Sequence, residues 1–125
     1  MPVPVAIAIA GAMGAVCRWG MTAAVQKLVP GVFPWGTLVV NVAGCFALGF
    51  AATHFAVRED WSLALRTAVL SGFLGAFTTF STFSFDTVEL VRTGHAMKAI
   101  GNVGLSVGIG MAAAALGIRL ASRGL

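Results

Sequence analysis

The sequence predicts an all-α integral membrane protein, with four transmembrane helices in a single domain that covers residues 1–125. Three observations support this class. Hydrophobic residues make up 58% of the chain, charged residues only 10%, and the mean hydropathy is +0.94. A soluble domain has about a quarter of its residues charged, and one helical crossing needs about 20 apolar residues. The chain therefore has room for four spans and short loops, and we expect no soluble domain.

The first span is predicted over residues 3–24. Its start lacks the basic region of a signal peptide, so we expect a mature span. Its small residues would let another helix approach closely. Arg18 lies near its far end, and two interpretations stay open. The guanidinium either snorkels to the membrane interface, or it attracts anions at the mouth of a pore, since a charge inside a span is a functional candidate.

The second span is predicted over residues 36–57, and Asn41 is the strongly polar residue of its first half. Helical spacing places Gly44, Cys45 and Leu48 on the same face as Asn41. The Asn41 amide either forms a hydrogen bond to another helix or donates an N–H group into a pore.

The third span, predicted over residues 63–91, is longer than one straight crossing requires, and we expect a break near residues 75–79. The stretch Gly72–Asp86 reads GFLGAFTTFSTFSFD, in which Gly72 and Gly75 permit unwinding. Thr78 and Thr79 can bond to carbonyls that the break releases. A broken helix at membrane depth is the usual architecture of an ion site.

Aromatic and hydroxyl side chains follow the expected break. Phe80 and Phe83 are i and i+3 neighbours on one helix face, and Ser81 and Thr82 supply O–H groups that can donate to an anion. A helix-packing seam is the alternative, because hydroxyls and small residues also join spans to each other. The coincidence of hydroxyls, aromatic rings and glycines in one over-long span favours a pore.

The fourth span is predicted over residues 99–120. Gly104 and Gly108 form a small-x-x-x-small pair that favours close helix packing. Asn102 and Ser106 are its polar positions.

Positive charge is distributed equally between the two sides that four spans define. One side has four Lys or Arg residues and the other side also has four (Arg58, Arg66, Arg119 and Arg123 against Arg18, Lys27, Arg92 and Lys98). Orientation is normally set by an excess of these residues on cytoplasmic loops. We therefore predict dual topology, in which copies insert both ways and pair as an antiparallel homodimer.

Other classes of protein fit the residues less well. An enzyme is not expected, because His54 and His95 lie near the interfaces, away from the serines of the third span. Cys17 and Cys45 lack partners for a disulfide framework or a metal site. A proton-coupled exporter needs a carboxylate in the membrane, and all four acids lie near span ends. A non-conducting assembly subunit would also explain the small residues. With no cluster of Lys or Arg, nucleic-acid binding is not expected.

Three segments resemble the Fluc fluoride-channel family, also called CrcB. They are GTLVVNVAGCFALGF (Gly36–Phe50), GFLGAFTTFSTFSFDTVEL (Gly72–Leu90) and GAMGAVCRW (Gly11–Trp19). The similarity extends over essentially the whole chain, and the TTFSTFS segment is highly specific. It implies a small four-span protein of the cell inner (plasma) membrane. Such proteins assemble as antiparallel dimers and export fluoride passively, which gives fluoride resistance.

The resemblance also implies roles for individual residues. Asn41 would donate its side-chain N–H to fluoride, Phe80 and Phe83 would flank the ion, and Ser81, Thr82 and Ser106 would add hydroxyl donors. Arg18 would lie near a vestibule. The backbone carbonyls of Gly75 and Thr78 would hold a structural sodium ion (Na+) between the two subunits.

Overall fold

The computed structural model describes residues 1–123, which form helices joined by short connections. In order, these are α1 (Val3–Leu28), α2 (Trp35–Val57), α3 (Leu63–Thr67), a π-helical segment (Ala68–Leu74, called the π segment), α4 (Gly75–Phe77), α5 (Phe80–Arg92) and α6 (Ala96–Arg123). Four stretches are long and apolar enough to cross a membrane: α1, α2, the run from Leu63 to Arg92, and α6. The prediction of an all-helical chain with four candidate spans is confirmed.

The helices extend beyond the predicted spans, mainly at the ends of α1 and α6. The first span was predicted to end at residue 24, whereas α1 continues to Leu28. The fourth was predicted over residues 99–120, whereas α6 covers Ala96–Arg123. Hydropathy marks only the apolar part of a helix, while backbone hydrogen bonds continue into polar turns. Lys27 and Arg123 lie in such last turns, where a cation is favoured by the helix dipole.

Glycine allows α1 to pack directly against the backbone of the π segment. A Cβ atom added at Gly14 would overlap the carbonyl of Phe73, and one added at Gly72 would lie 2.9 Å from the carbonyl oxygen of Ile7. Without side chains at these positions, the two helical backbones come into contact. Small residues serve this purpose in membranes, where van der Waals packing largely holds helices together.

A second close pair forms between α2 and α6. A Cβ atom at Gly49 would overlap the carbonyl of Ala114, and one at Gly117 would overlap the carbonyl of Phe46. Gly104 and Gly108, the predicted small-residue pair, are exposed, and a Cβ atom there would meet no described atom within 4 Å. Within one copy of the chain, α6 therefore packs through Gly117 rather than through that pair.

Two residues of extended backbone separate α4 from α5. Thr78 has φ −92° and ψ 156°, and Thr79 has φ −150° and ψ 113°. The remainder of the range 75–79, Gly75–Phe77, is helical. The Thr79 side chain accepts a hydrogen bond from the Thr82 N–H at 3.1 Å. Thr79 therefore caps the N-terminus of α5, as threonine commonly does.

Gln26 holds the connection between α1 and α2 in place. Its Nε2 donates to the carbonyls of Gly31, at 3.2 Å, and Phe33, at 3.1 Å. Its Oε1 accepts from the Gly36 N–H at 3.2 Å. Gly36 also lies against the Thr22 carbonyl, with no room for a Cβ atom. The start of α2 is thus fixed against the end of α1, which sets the position of Asn41 relative to α1.

Candidate ion pathway at the interrupted helix

Asn41 binds both backbone hydrogen-bonding groups of Thr79. Its Oδ1 accepts from the Thr79 N–H at 2.8 Å, and its Nδ2 donates to the Thr79 carbonyl at 3.1 Å. An extended residue inside a helical span loses its helical partners, and Asn41 replaces them. This is the hydrogen bond to another helix that was one interpretation of Asn41. Because an amide nitrogen carries two protons, one N–H donor remains.

Asn41 also lines a cavity of about 290 Å³, here called the phenylalanine cavity. Its walls come from α2, the interruption, α5 and α6. The rings of Phe80 and Phe83 lie in it with their centroids 5.8 Å apart and their planes inclined at 48°. The lining residues are Asn41, Gly44, Cys45, Leu48, Thr78, Thr79, Phe80, Phe83, Ser106 and Val107. The cavity is therefore mostly apolar, with a few neutral hydrogen-bonding groups and no charged side chain.

Gly44 allows the interruption to lie against α2. A Cβ atom at Gly44 would overlap the Thr78 side chain and would lie 3.4 Å from the Phe77 ring. The Thr78 hydroxyl donates to the Leu74 carbonyl at 3.1 Å, as expected for a threonine beside a break. Gly44 and Asn41, one helical turn apart, thus accommodate and bind the two extended residues.

A second cavity, of about 230 Å³, adjoins the other side of Thr79 and is here called the arginine cavity. It is lined by Arg18, Trp19, Thr22, Ala23, Gln26, Thr37, Thr79 and Thr82. Its side chains carry one guanidinium, one amide, one indole N–H and four hydroxyls. Thr79 lines both cavities, so it lies at the boundary between them.

Arg18 points to the interruption and is fixed there by a hydrogen bond. Its Nε donates to the Ala76 carbonyl at 3.0 Å, and the residue is half-buried. In a continuous α-helix the Ala76 carbonyl would accept from the N–H of Phe80. The guanidinium therefore compensates for a backbone donor that the interruption removes. A side chain that only snorkels to the interface would not need this partner.

Other carbonyls also lose their helical donors at the interruption, among them those of Gly75 and Thr78. In a continuous helix the Thr79 N–H would donate to Gly75, and the Thr82 N–H would donate to Thr78. Here the Thr79 N–H donates to Asn41, and the Thr82 N–H donates to the Thr79 hydroxyl. The carbonyls of Gly75 and Thr78 are thus left for other partners. Carbonyl oxygen is a hard donor that suits small cations.

The structure brings most of the predicted site residues to these two cavities. Asn41, Phe80, Phe83 and Ser106 line the phenylalanine cavity, while Arg18 and Thr82 line the arginine cavity. Ser81 is exposed and lines neither of them, although its Oγ lies 3.2 Å from the Thr79 Oγ1. Gly75 is also exposed and outside both.

Sequence reasoning missed two residues of this site. Thr79 was expected only to bond to released carbonyls, yet it lies between the cavities. Asn102 was noted only as polar, yet it is 2% exposed and bonds to both Thr87 and Ser106. The i, i+4 spacing of Asn102 and Ser106 was the available signal.

Acidic and metal-binding side chains are not gathered at this site. Among residues 1–123, no group of three or more His, Cys, Asp or Glu residues could hold a metal ion. Asp86 and Glu89 line a separate small cavity next to Pro34, at the end of the first connection. The phenylalanine cavity therefore presents neutral donors and aromatic rings to whatever enters it.

Comparison with known proteins identifies relatives along nearly the whole chain. The family model described as "CrcB-like protein, Camphor Resistance (CrcB)" matches residues 5–118. A "Fluoride-specific ion channel FluC" of Desulforapulum autotrophicum is 47% identical, with 91% of each chain covered. Its namesake in Rhizobium johnstonii is 43% identical over 90% of each chain. The "Fluoride-specific ion channel FluC 2" of Symbiobacterium thermophilum is 44% identical, covering 94% of this chain and 95% of its own.

The four candidate spans, the interrupted third one and these matches agree with one another. The chain belongs to the CrcB family.

Proposed function

We propose that this multi-pass protein of the inner membrane is a fluoride-selective channel, through which fluoride leaves the cell passively. One observation carries the proposal: Asn41, Phe80, Phe83 and Ser106 converge on one cavity that has no charged lining residue. The relatives named fluoride-specific ion channels support it. Passage of an ion along such a path breaks no covalent bond, so the protein is a channel and not an enzyme.

The cavity suits a small anion because it offers several weak, neutral contacts. An ion without partners in an apolar environment is very costly. The free N–H of Asn41 and a hydroxyl can replace part of its hydration, and an aromatic ring has a positive edge that also favours an anion. A permanent positive charge beside the ion would hold it too tightly, since conduction requires that ions also leave.

Arg18 contributes to this mechanism from the arginine cavity. Its charge raises the local concentration of anions at the entrance, as a focused positive field does. Thr82, which lines the same cavity, adds a hydroxyl donor, and exposed Ser81 adds another at the edge of the path. The ion then passes Thr79 and reaches the two phenylalanine rings.

We further propose that two copies assemble as an antiparallel, dual-topology homodimer, with the interruption at membrane depth. The equal positive charge on the two sides supports either orientation. Gly75 and Phe80 are exposed beside carbonyls that have lost their donors. Lipid cannot satisfy such carbonyls, so a second copy or water must cover this surface.

A structural Na+ fits the same surface. The carbonyls of Gly75 and Thr78, from each of two copies, would hold it between the subunits. Released carbonyls are the usual cation ligands of broken membrane helices. The ion would neutralise their partial negative charge and so hold the two interruptions together.

The first prediction is selective release of fluoride. Liposomes with the purified protein should release trapped fluoride rapidly, as followed with an ion-selective electrode, and should retain chloride. A fluoride leak that runs only when a pH gradient is imposed would favour the proton-coupled exporter. No release by protein that is folded and dimeric would favour the assembly subunit.

The second prediction concerns Asn41→Asp. The carboxylate still accepts from the Thr79 N–H but loses the hydrogen bond that Nδ2 donates to the Thr79 carbonyl, so the interruption keeps one of its two partners. The substitution removes the N–H donor to fluoride and adds a negative charge. Repulsion between this carboxylate and a fluoride ion about 4 Å away is worth about 4 kcal/mol at an effective dielectric constant near 20. Fluoride efflux should fall by at least about a hundredfold. Efflux at the wild-type rate in this variant would show that Asn41 does not contact the ion.

The third prediction concerns the two rings. Phe80→Ile and Phe83→Ile keep apolar bulk but lose the ring edge, whose contacts are worth about 0.5–1.5 kcal/mol. Efflux should slow by about two- to twelvefold per ring. Phe85→Ile is the matched control, because Phe85 is 68% exposed on the same helix and lines neither cavity. Equal slowing of efflux in all three variants would mean that Phe80 and Phe83 contribute packing and do not contact the ion.

The fourth prediction tests the dimer and its cation. A Cβ atom at Gly75 would lie 3.8 Å from the Leu70 carbonyl oxygen, which is ordinary contact, so Gly75→Val fits within one copy. We expect this variant to lose the dimer and the effect of Na+ on its thermal stability. Gly20→Val is the control, since a Cβ atom at this helical glycine would meet no described atom within 4 Å.

Two results would contradict these assignments. A Gly75→Val dimer as stable as the wild type, with no response to Na+ in either protein, would remove the cation site. Accessibility labelling that finds the termini of all molecules on one side of the membrane would exclude the antiparallel arrangement.

A further inference from the structure

The hydroxyl of Ser106 is held differently from those of other helical residues in this protein. Five other hydroxyls donate to the carbonyl four residues earlier, those of Thr67, Thr87, Thr93 and Ser122 at 2.8 Å and that of Thr78 at 3.1 Å. This back-bonding is the usual arrangement in a helix. Ser106 instead donates to the side-chain Oδ1 of Asn102, at 3.4 Å. Its proton is therefore kept away from the helix backbone by a long hydrogen bond.

The direction of this hydrogen bond follows from a chain of three bonds that begins at Phe83. A carbonyl only accepts, so the Thr87 hydroxyl must donate to the Phe83 carbonyl. The Thr87 oxygen must then accept, which places the Asn102 Nδ2 towards it at 2.9 Å. The Asn102 Oδ1 consequently faces Ser106, and the Ser106 hydroxyl is the donor. The Phe83 carbonyl thus fixes the orientation of every group in the chain.

Asn102 has no direct access to the phenylalanine cavity, whereas Ser106 has. Ser106 is among the residues that line it, and Asn102 is not. Asn102 is 2% exposed, and its amide is used within the protein. Its hydrogen bonds connect Asn102 to the cavity on two sides, directly to the Ser106 hydroxyl and through Thr87 to the Phe83 carbonyl.

We propose that Asn102 is a positioning residue that keeps the Ser106 hydroxyl available as a donor to the anion. The inference rests on the proposed channel function and deepens it. In the empty cavity the Ser106 proton is held weakly by Asn102. When fluoride arrives, the hydroxyl turns from the long bond to the ion, and the Asn102 amide stays in place because Thr87 holds it. Without Asn102, the hydroxyl turns to the carbonyl of residue 102 and is lost to the pathway.

A double-mutant cycle in the liposome efflux assay tests this proposal. Asn102→Leu and Ser106→Ala should each slow fluoride efflux by about two- to twelvefold, the range for one hydrogen bond. The fluoride concentration for half-maximal rate should rise in both. The double variant should be no slower than the slower single variant, because both changes remove the same donor.

Thr87 supplies a matched pair that leaves Asn102 unchanged. Thr87→Val removes the hydroxyl that orients the amide, and its efflux should resemble that of Asn102→Leu. Thr87→Ser retains the hydroxyl and should have wild-type efflux. If the Asn102→Leu variant does not assemble, the comparison of Thr87→Val with Thr87→Ser still tests the proposal.

Several outcomes would overturn the inference. They are multiplicative losses in the double variant, wild-type efflux in Ser106→Ala or Thr87→Val, and equal slowing in Thr87→Val and Thr87→Ser. Each of these can be observed only when the wild-type protein conducts fluoride. An inactive wild-type protein would overturn the proposed function itself.

Discussion

The pairing of the Asn41 amide with the backbone of Thr79 is the interaction on which the rest of the site depends. Two extended residues inside a candidate membrane span would leave backbone groups without partners, which lipid cannot supply. Asn41 satisfies both groups of Thr79. By taking the Thr79 N–H, it also removes the helical donor of the Gly75 carbonyl. One side chain on α2 therefore stabilises the interruption and prepares the surface that we assign to the cation and the second copy.

The surrounding helices meet this constraint mainly by omitting side chains. Gly44 makes room for Thr78, and Gly14 and Gly72 bring α1 onto the π segment. Arg18, also on α1, then reaches the Ala76 carbonyl. The glycine contacts of α1 therefore also place Arg18 where it can bond to a backbone carbonyl that the interruption releases. This kind of packing is expected in a membrane. Apolar side chains gain little free energy by leaving lipid, whereas a polar group without a hydrogen bond costs much free energy.

The chemistry of the two cavities differs in a way that suits sequential contact with an anion. The arginine cavity combines a charge with hydroxyls, whereas the phenylalanine cavity has apolar side chains, aromatic rings and only neutral donors. In the proposed path, the charge of Arg18 at the entrance would attract anions, and neutral contacts further along would let them leave again. Hydroxyls can turn their protons between partners. Their alternative partners, such as Asn102 for Ser106, therefore affect how readily they donate to an ion.

The sequence by itself determined the number of candidate spans, their apolar character and the location of the polar stretch Gly72–Asp86. These properties depend on local composition and period, and a face shared by Asn41, Gly44, Cys45 and Leu48 follows from helical spacing alone. Most of the site residues that the resemblance to the CrcB family implied line one of the two cavities.

Only the tertiary structure decided which groups pair. Arg18 and Ala76 are 58 positions apart, and Asn41 and Thr79 are 38 apart. Their bonds depend on the depth and rotation of each helix, which glycine contacts set. For the same reason, the sequence favoured Gly104 and Gly108 as a packing pair, whereas α6 approaches α2 at Gly117. A local pattern shows what a helix face can do, but the partner that meets this face is set by the packing of the whole chain.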